Sequence, residues 1–243
     1  MKLLALMLCL LAPSIAFGAL AEVGSGSQRA GIQTSSGADD DAALAYPGSV
    51  TTGNLLIVAG NAYDSGVAPA SIGVTAGCGT FTVLSSAPAG VTRQFIAYAI
   101  ASSSGACTAT VNPAGSAAYI SFAINEFSVP HATPLDVDDG ATTGTGFTAT
   151  ASITTVAANA LIISTMTNGT QTTVTLPNGP TEIAESDDNS CCTAYATGFR
   201  IVTTPGAYDM EWGTADSVAW RMHTASFKPA VAATGARRRV VTP

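Results

Sequence analysis

Glu126 is the residue whose placement most invites chemistry. In Tyr119-Ile120-Ser121-Phe122-Ala123-Ile124-Asn125-Glu126-Phe127, strict alternation puts it on one strand face with Ile120, Phe122 and Ile124. A carboxyl group held against apolar side chains resists ionisation and can then serve as an acid, as one of the paired carboxylates of a glycoside hydrolase does. The competing reading is a strand-end carboxylate that turns to solvent or holds a neighbouring backbone amide. Asp136, Asp138 and Asp139, just before Gly140, form a second constellation. Their oxygens suit calcium, but they lack the regular spacing and closing Glu of an EF-hand loop, so they fit a solvated turn as well. Asp187-Asp188-Asn189 poses the same choice.

Aromatic rings are the third resource, because they can stack on sugar rings. Tyr98, Tyr119, Phe199, Tyr208 and Trp220 fall in columns of an internal repeat described below, which marks them as core. Trp212 stands opposite Val111 without an aromatic counterpart, and Tyr63 lies in the polar stretch Asn61 to Gly66. Those two are the expected surface rings. Together with Glu126 they make up the candidate ligand-binding residues.

Other chemistries find little to work with. There is no GxSxG, no HExxH and no phosphate-cradling glycine pattern, so no catalytic residue is assigned. A thiolate metal site would need a CxxC and more imidazole than His131 and His223 supply. Without Lys2 and the terminal Arg237-Arg238-Arg239, 5 basic residues stand against 16 acidic ones. Such a body repels a phosphate backbone, which excludes nucleic acid as a partner except through the tail. The arginine run itself reads as a solvated terminus or as a dock for a polyanion. Charged residues are 10% of the chain, far below the usual quarter, and Ala, Ser, Thr and Gly replace them.

The first 21 residues read as a secretory leader: Met1-Lys2, the apolar run Leu3 to Ala12, Pro13, and a small-x-small site at Ala19-Leu20-Ala21, which places the mature start at Glu22. An apolar run of about ten residues is too short to anchor the chain in a bilayer that needs about 20. Four of the 5 cysteines lie beyond the leader. In an oxidising compartment Cys78 and Cys107 are the expected pair, because both sit at adjoining strand starts of one half. Cys191 and Cys192 are adjacent, so a bond between them would be strained, and either could join another chain.

The elements that must position these residues come in two copies. Residues 94–120 match 195–221 when slid by 101 positions, with Ile100 on Ile201, Gly105-Ala106 on Gly206-Ala207, and Tyr119 on Trp220. Asn54-Leu55-Leu56-Ile57-Val58 is echoed by Asn159-Ala160-Leu161-Ile162-Ile163, which extends the repeats to residues 50–128 and 153–227. Short alternating runs between Gly, Pro and Ser clusters predict strands, and Asn168-Gly169 and Asn178-Gly179 predict hairpin turns. The N-terminal stretch Glu22 to Gly37 becomes a strand only if something pairs with it. Val129 to Ser152 links the halves, and 229–243 is a basic tail. The expected fold is all-β, an antiparallel two-sheet jelly-roll-like sandwich built from two pseudo-repeated halves within residues 22–228. A pair of independent small sandwiches is the alternative.

Asn54-Leu55-Leu56-Ile57-Val58, Glu126-Phe127-Ser128, Thr133-Pro134-Leu135-Asp136 and Ala225-Ser226-Phe227-Lys228-Pro229 together resemble a broad set of jelly-roll surface proteins from bacteria and their phages. The resemblance spans about residues 40–230. It implies a non-enzymatic surface or virion-associated module of fibre, decoration or adhesin type, and it carries over no catalytic residue. A leader peptide departs from the phage members and favours a secreted, periplasmic or cell-surface location. The implied partners are other copies of the chain, a surface assembly or glycans. A lectin-like module is the alternative function, and an acidic glycoside hydrolase using Glu126 the third. No cofactor is implied beyond the candidate structural calcium.

Overall fold

The structure is a computed structural model that describes residues 19–26, 29–35, 41–64, 66, 68–85, 91–114, 119–128, 130–168, 174–175, 180–186 and 194–231. Among them the only helical element is a 3-10 turn at Val23–Gly26; all other elements are strands. The first half contains β1 (Ala21–Glu22), β2 (Ala30–Ser35), β3 (Ala42–Ala45), β4 (Leu55–Tyr63), β5 (Ile72–Ala76), β6 (Thr82–Ser85), β7 (Thr92–Ile100), β8 (Thr108–Pro113) and β9 (Tyr119–Ser128). The second contains β10 (Pro130–Thr155), β11 (Ala160–Asn168), β12 (Val174–Thr175), β13 (Thr181–Ser186), β14 (Tyr195–Val202) and β15 (Gly206–Pro229).

All pairings are antiparallel. One six-stranded sheet runs β1-β9-β4-β7-β6 with β2 beside β1 along β9, and the other runs β10-β15-β11-β14-β13 with β12 on β15. Each sheet comes from one half of the chain. A three-stranded sheet, β3-β8-β5, closes over the first and buries Val50, Phe95, Val111 and Phe122 between them. The second half builds its own lid differently. Phe147 of β10 is opposed by the stretch Thr214–Ser217 of β15, so both long strands turn a corner there. Their outer segments then fold back, burying Ala149, Ile153, Met210 and Trp212 against Ile162, Met166 and Trp220.

The two large sheets stack back to back. Leu55, Ile57, Ile96 and Phe127 of one meet Leu161, Ile163, Phe199 and Phe227 of the other. This explains why Leu55 to Ala59 is a continuous apolar run and not an alternating one. Leu56 and Val58 enter the first-half core while Leu55, Ile57 and Ala59 enter the interface, so both faces of β4 are dry.

The all-β, antiparallel, duplicated architecture agrees with the sequence reading, and the register corrects its details. Leu55 pairs with Ile100 and Leu161 with Ile201, which makes Gly53, not Asn54, the counterpart of Asn159. Both occupy the left-handed region, Gly53 at φ 89° and Asn159 at φ 54°, a conformation that Gly and Asn tolerate best. Phe127 opposes Leu55 as Phe227 opposes Leu161, so Trp220 stands at the position of Ile120 and not of Tyr119. The link Val129 to Ser152 is largely strand, because β15 offers it a pairing partner along nearly its whole length. The N-terminal stretch does find its partner, β9, through Ala30↔Ile124 to Ser35↔Tyr119. The expected turns at Asn168-Gly169 and Asn178-Gly179, the Asp187-Asp188-Asn189 cluster, Cys191, Cys192 and the arginine tail fall wholly or partly outside the described residues.

Candidate functional site

Glu126 lies on the first-core face of β9 as alternation requires, and it is fully buried. Its Oε1 accepts the Thr51 amide at 2.8 Å and the Asn54 side-chain amide at 2.7 Å, fixing the turn that leads into β4. Its Oε2 is buried without a protein partner. The charge acts on Tyr46, whose phenol is pushed well above its ordinary range by burial and, secondarily, by Glu126. Tyr46 therefore stays a donor, bonding the Ile57 carbonyl at 3.1 Å.

The second half performs the same task with another residue. Ser226 occupies the Glu126 position, one residue before Phe227, and its hydroxyl donates to Asp136 Oδ2 at 3.3 Å. That oxygen also accepts the Val156 and Ala157 amides at 2.9 and 3.2 Å. Ala157 precedes Leu161 by the interval that separates Thr51 from Leu55. Glu126 and Asp136 are thus equivalent turn clamps reached from neighbouring strands.

Asp136, one of the three aspartates read as a calcium candidate, thus also serves as a turn clamp through Oδ2. Asp138 is engaged elsewhere, receiving His223 Nε2 at 2.8 Å and the Gly140 amide at 3.1 Å. The hydrogen bond from His223 is the largest influence holding the Asp138 carboxyl below its usual range, with partial burial opposing it. Asp139 is exposed. Among the described residues, no three His, Cys, Asp or Glu side chains gather in a way that could hold a metal ion.

Trp212 is fully buried, which corrects its assignment as a surface ring. Its indole lies over Gly198, where an added Cβ would sit 2.9 Å from the ring. The corresponding pair in the first half is Val111 and Ala97, so a larger ring on β15 is matched by a smaller residue on β14. The signal was present in the sequence: Val111 is itself a core position.

Tyr63 ends β4 and does not sit in a loop, because β4 is paired on both sides as far as Tyr63↔Thr92 and Tyr63↔Tyr119. It is half-buried, with its ring centroid 6.1 Å from that of Tyr119 at an interplanar angle of 47°. Beyond it, the Asp64 side chain caps the Gly66 amide at 2.9 Å. This tyrosine pair keeps part of its ring surface exposed at the end of the sheet.

A polar seam between the two large sheets escaped the sequence reading. Gln94, Asn61 and Ser121 form one cross-strand row, Thr197, Thr165 and His223 another, and all are buried. The Gln94 side-chain amide donates to the Arg221 carbonyl at 2.7 Å, and the Tyr195 hydroxyl donates to the Ala59 carbonyl at 3.1 Å. Burial pushes the Tyr195 phenol far above its ordinary range, so it too remains a donor. Thr165 Oγ1 and His223 Nδ1 have no protein partner there. The bonds from Gln94 and Tyr195 tie the halves where apolar contact gives way to polar side chains.

The N-terminal segment straps the same interface. Arg29 forms an ion pair with Glu22, donates to the Glu182 carbonyl at 2.8 Å and lies 5.3 Å over the Phe199 ring. A disulfide joins Cys78 to Cys107 as expected, with Cα atoms 5.7 Å apart. At the Cys107 position the second half carries Tyr208, whose hydroxyl donates to the Thr204 carbonyl at 2.7 Å. No helix among the described residues is long and apolar enough to cross a membrane. No family model, no curated protein and no solved structure matches this chain.

Proposed function

We propose that the protein is an exported, non-catalytic β-sandwich that presents a surface, as a fibre, decoration or adhesin module does. The observation that carries this reading is where the polar groups go. Glu126, Asp136 and Asp138 are spent on turns and on a buried histidine, while β10 turns Thr143, Thr145, Thr148, Ser152 and Thr154 outward. A long, weakly charged strand rich in exposed hydroxyls favours broad contact with another copy or with a surface assembly. The acidic body gives it no affinity for nucleic acid. Expressed with its leader in a bacterial host, the protein is expected outside the cytoplasm, and electron microscopy of the purified material is expected to show assemblies. A cytosolic monomer that binds neither itself nor any cell surface refutes the proposal.

The half-buried Tyr63 and Tyr119 rings favour glycan binding as the second reading. It expects glycan-array signals that vanish in both Tyr63→Ala and Tyr119→Ala. An array without signal, or signal unchanged in those variants, removes it.

A further inference from the structure

The leader reading offers more than one place where a signal peptidase could cut, and the fold separates products that keep Leu20 from the one that loses it. Ala19-Leu20-Ala21 satisfies the small-x-small rule, but so do Ser14-Ile15-Ala16 and Ala16-Phe17-Gly18 upstream, of which the second leaves the shorter chain that still keeps Leu20. Cutting after Ala21 discards Leu20 and Ala21. Both belong to the folded body.

Leu20 is 1% exposed and sits in the interface core with Leu55, Ile57, Phe127 and Phe227. Ala21 continues the first sheet, pairing with Ser128, whose hydroxyl donates to the Ala21 carbonyl at 3.2 Å. Glu22 follows in register against Phe127 while its carboxylate holds Arg29 and the Asn125 side-chain amide. Ala19, by contrast, is exposed. A chain beginning at Ala19 would leave its new ammonium in water and keep every one of these contacts. A chain beginning at Glu22 would open a leucine-sized hole between the sheets and set an ammonium against the edge of β9.

We infer that the leader is removed by hydrolysis of the Gly18–Ala19 peptide bond, so that the mature chain begins at Ala19 and Leu20 completes the core between the halves. Water adds across that bond, leaving a carboxylate on Gly18 and an ammonium on Ala19. Cleavage precedes folding, so the fold does not guide the peptidase; it identifies which product keeps its core intact. This inference rests on the export reading above and can fail without it.

The test has two arms. In the first, the full chain is secreted from a bacterial host and its N-terminus is read by intact mass and Edman degradation. A start at Ala19 is expected. A start at Glu22, or at any residue after Met1 other than Ala19, overturns the inference while leaving export standing; a product that keeps Met1 overturns both. In the second arm, chains beginning at Ala19 and at Glu22 are prepared without a leader and compared by thermal unfolding. Losing a buried leucine is expected to lower the Tm by about 4–10 °C, and Leu20→Ala in the longer chain is expected to reproduce most of that drop. Equal Tm values for the two chains overturn the inference.

Discussion

Replacing Glu126 by alanine tests whether this residue clamps a turn. Its Oε1 accepts two hydrogen bonds, at 2.8 Å from the Thr51 amide and 2.7 Å from the Asn54 side chain. Bonds to an ionised acceptor contribute about 1.5–3 kcal/mol each, so their joint loss is about 3–6 kcal/mol. Two effects offset part of that loss. The variant no longer buries a carboxylate whose Oε2 lacks a partner, and Thr51 is exposed, so its amide can turn to water. A net cost of about 2–4 kcal/mol remains. With a urea m-value of about 2–3 kcal/mol/M, the unfolding midpoint is expected to fall by about 1 M. Glu126→Gln keeps an acceptor at Oε1 and sheds the buried charge, so it is expected to cost no more than about 1–2 kcal/mol. Asp136→Ala should fall below Glu126→Ala, because its turn is more open to solvent. A Glu126→Ala cost under about 1 kcal/mol, or a Gln variant as damaged as the Ala variant, refutes the clamp.

Other expectations follow from the same geometry. Gly198→Ala places a methyl group against both the Trp212 ring and the Thr181 carbonyl oxygen and should cost about 1–3 kcal/mol, less but not zero in a Trp212→Val background, where the carbonyl contact remains; a double-mutant cycle in urea reads the coupling. Both tryptophans are buried, so their emission should be blue-shifted and shielded from iodide until unfolding, whereas an exposed Trp212 would be quenched. The native Asp138 carboxyl lies below its unfolded value of about 3.9. It therefore contributes stability that is present above that pH and is lost as pH falls through the lower native value. Asp138→Asn should accordingly narrow the gap between Tm at pH 7 and at pH 3, and an unchanged gap counts against the His223 contact. Removing the disulfide with Cys78→Ser should cost about 3–4 kcal/mol, read as a lower urea midpoint that reductant does not lower further.

Local pattern made much of the molecule legible. Leu55 to Ala59, continuously apolar, would be dry on both faces if it formed a strand, and the repeated columns around Ile100 and Ile201 disclosed two equivalent halves. Alternation placed Glu126 on the core face of β9, and cysteine spacing chose Cys78 and Cys107. These follow from properties a chain carries residue by residue: side-chain period, turn chemistry and solvent preference. What the neighbours across the fold supply could not be read this way. Whether Glu126 meets a ligand or the Thr51 amide depends on a loop 75 residues away. That Asp136 holds the Val156 and Ala157 amides depends on a turn 20 residues away, and Trp212 resembles a surface ring until Gly198 vacates the space beneath it. The one-residue offset between Asn54 and Asn159 escaped because matching letters outweighed φ, and only backbone pairing reveals that Gly53 and Asn159 share the left-handed corner. Sequence determined the strands, the duplication and the covalent bridge, since these depend on local order. Tertiary structure decided which polar atoms are consumed by the fold and that Leu20 belongs to it, since both depend on what a sheet from the other half brings within contact.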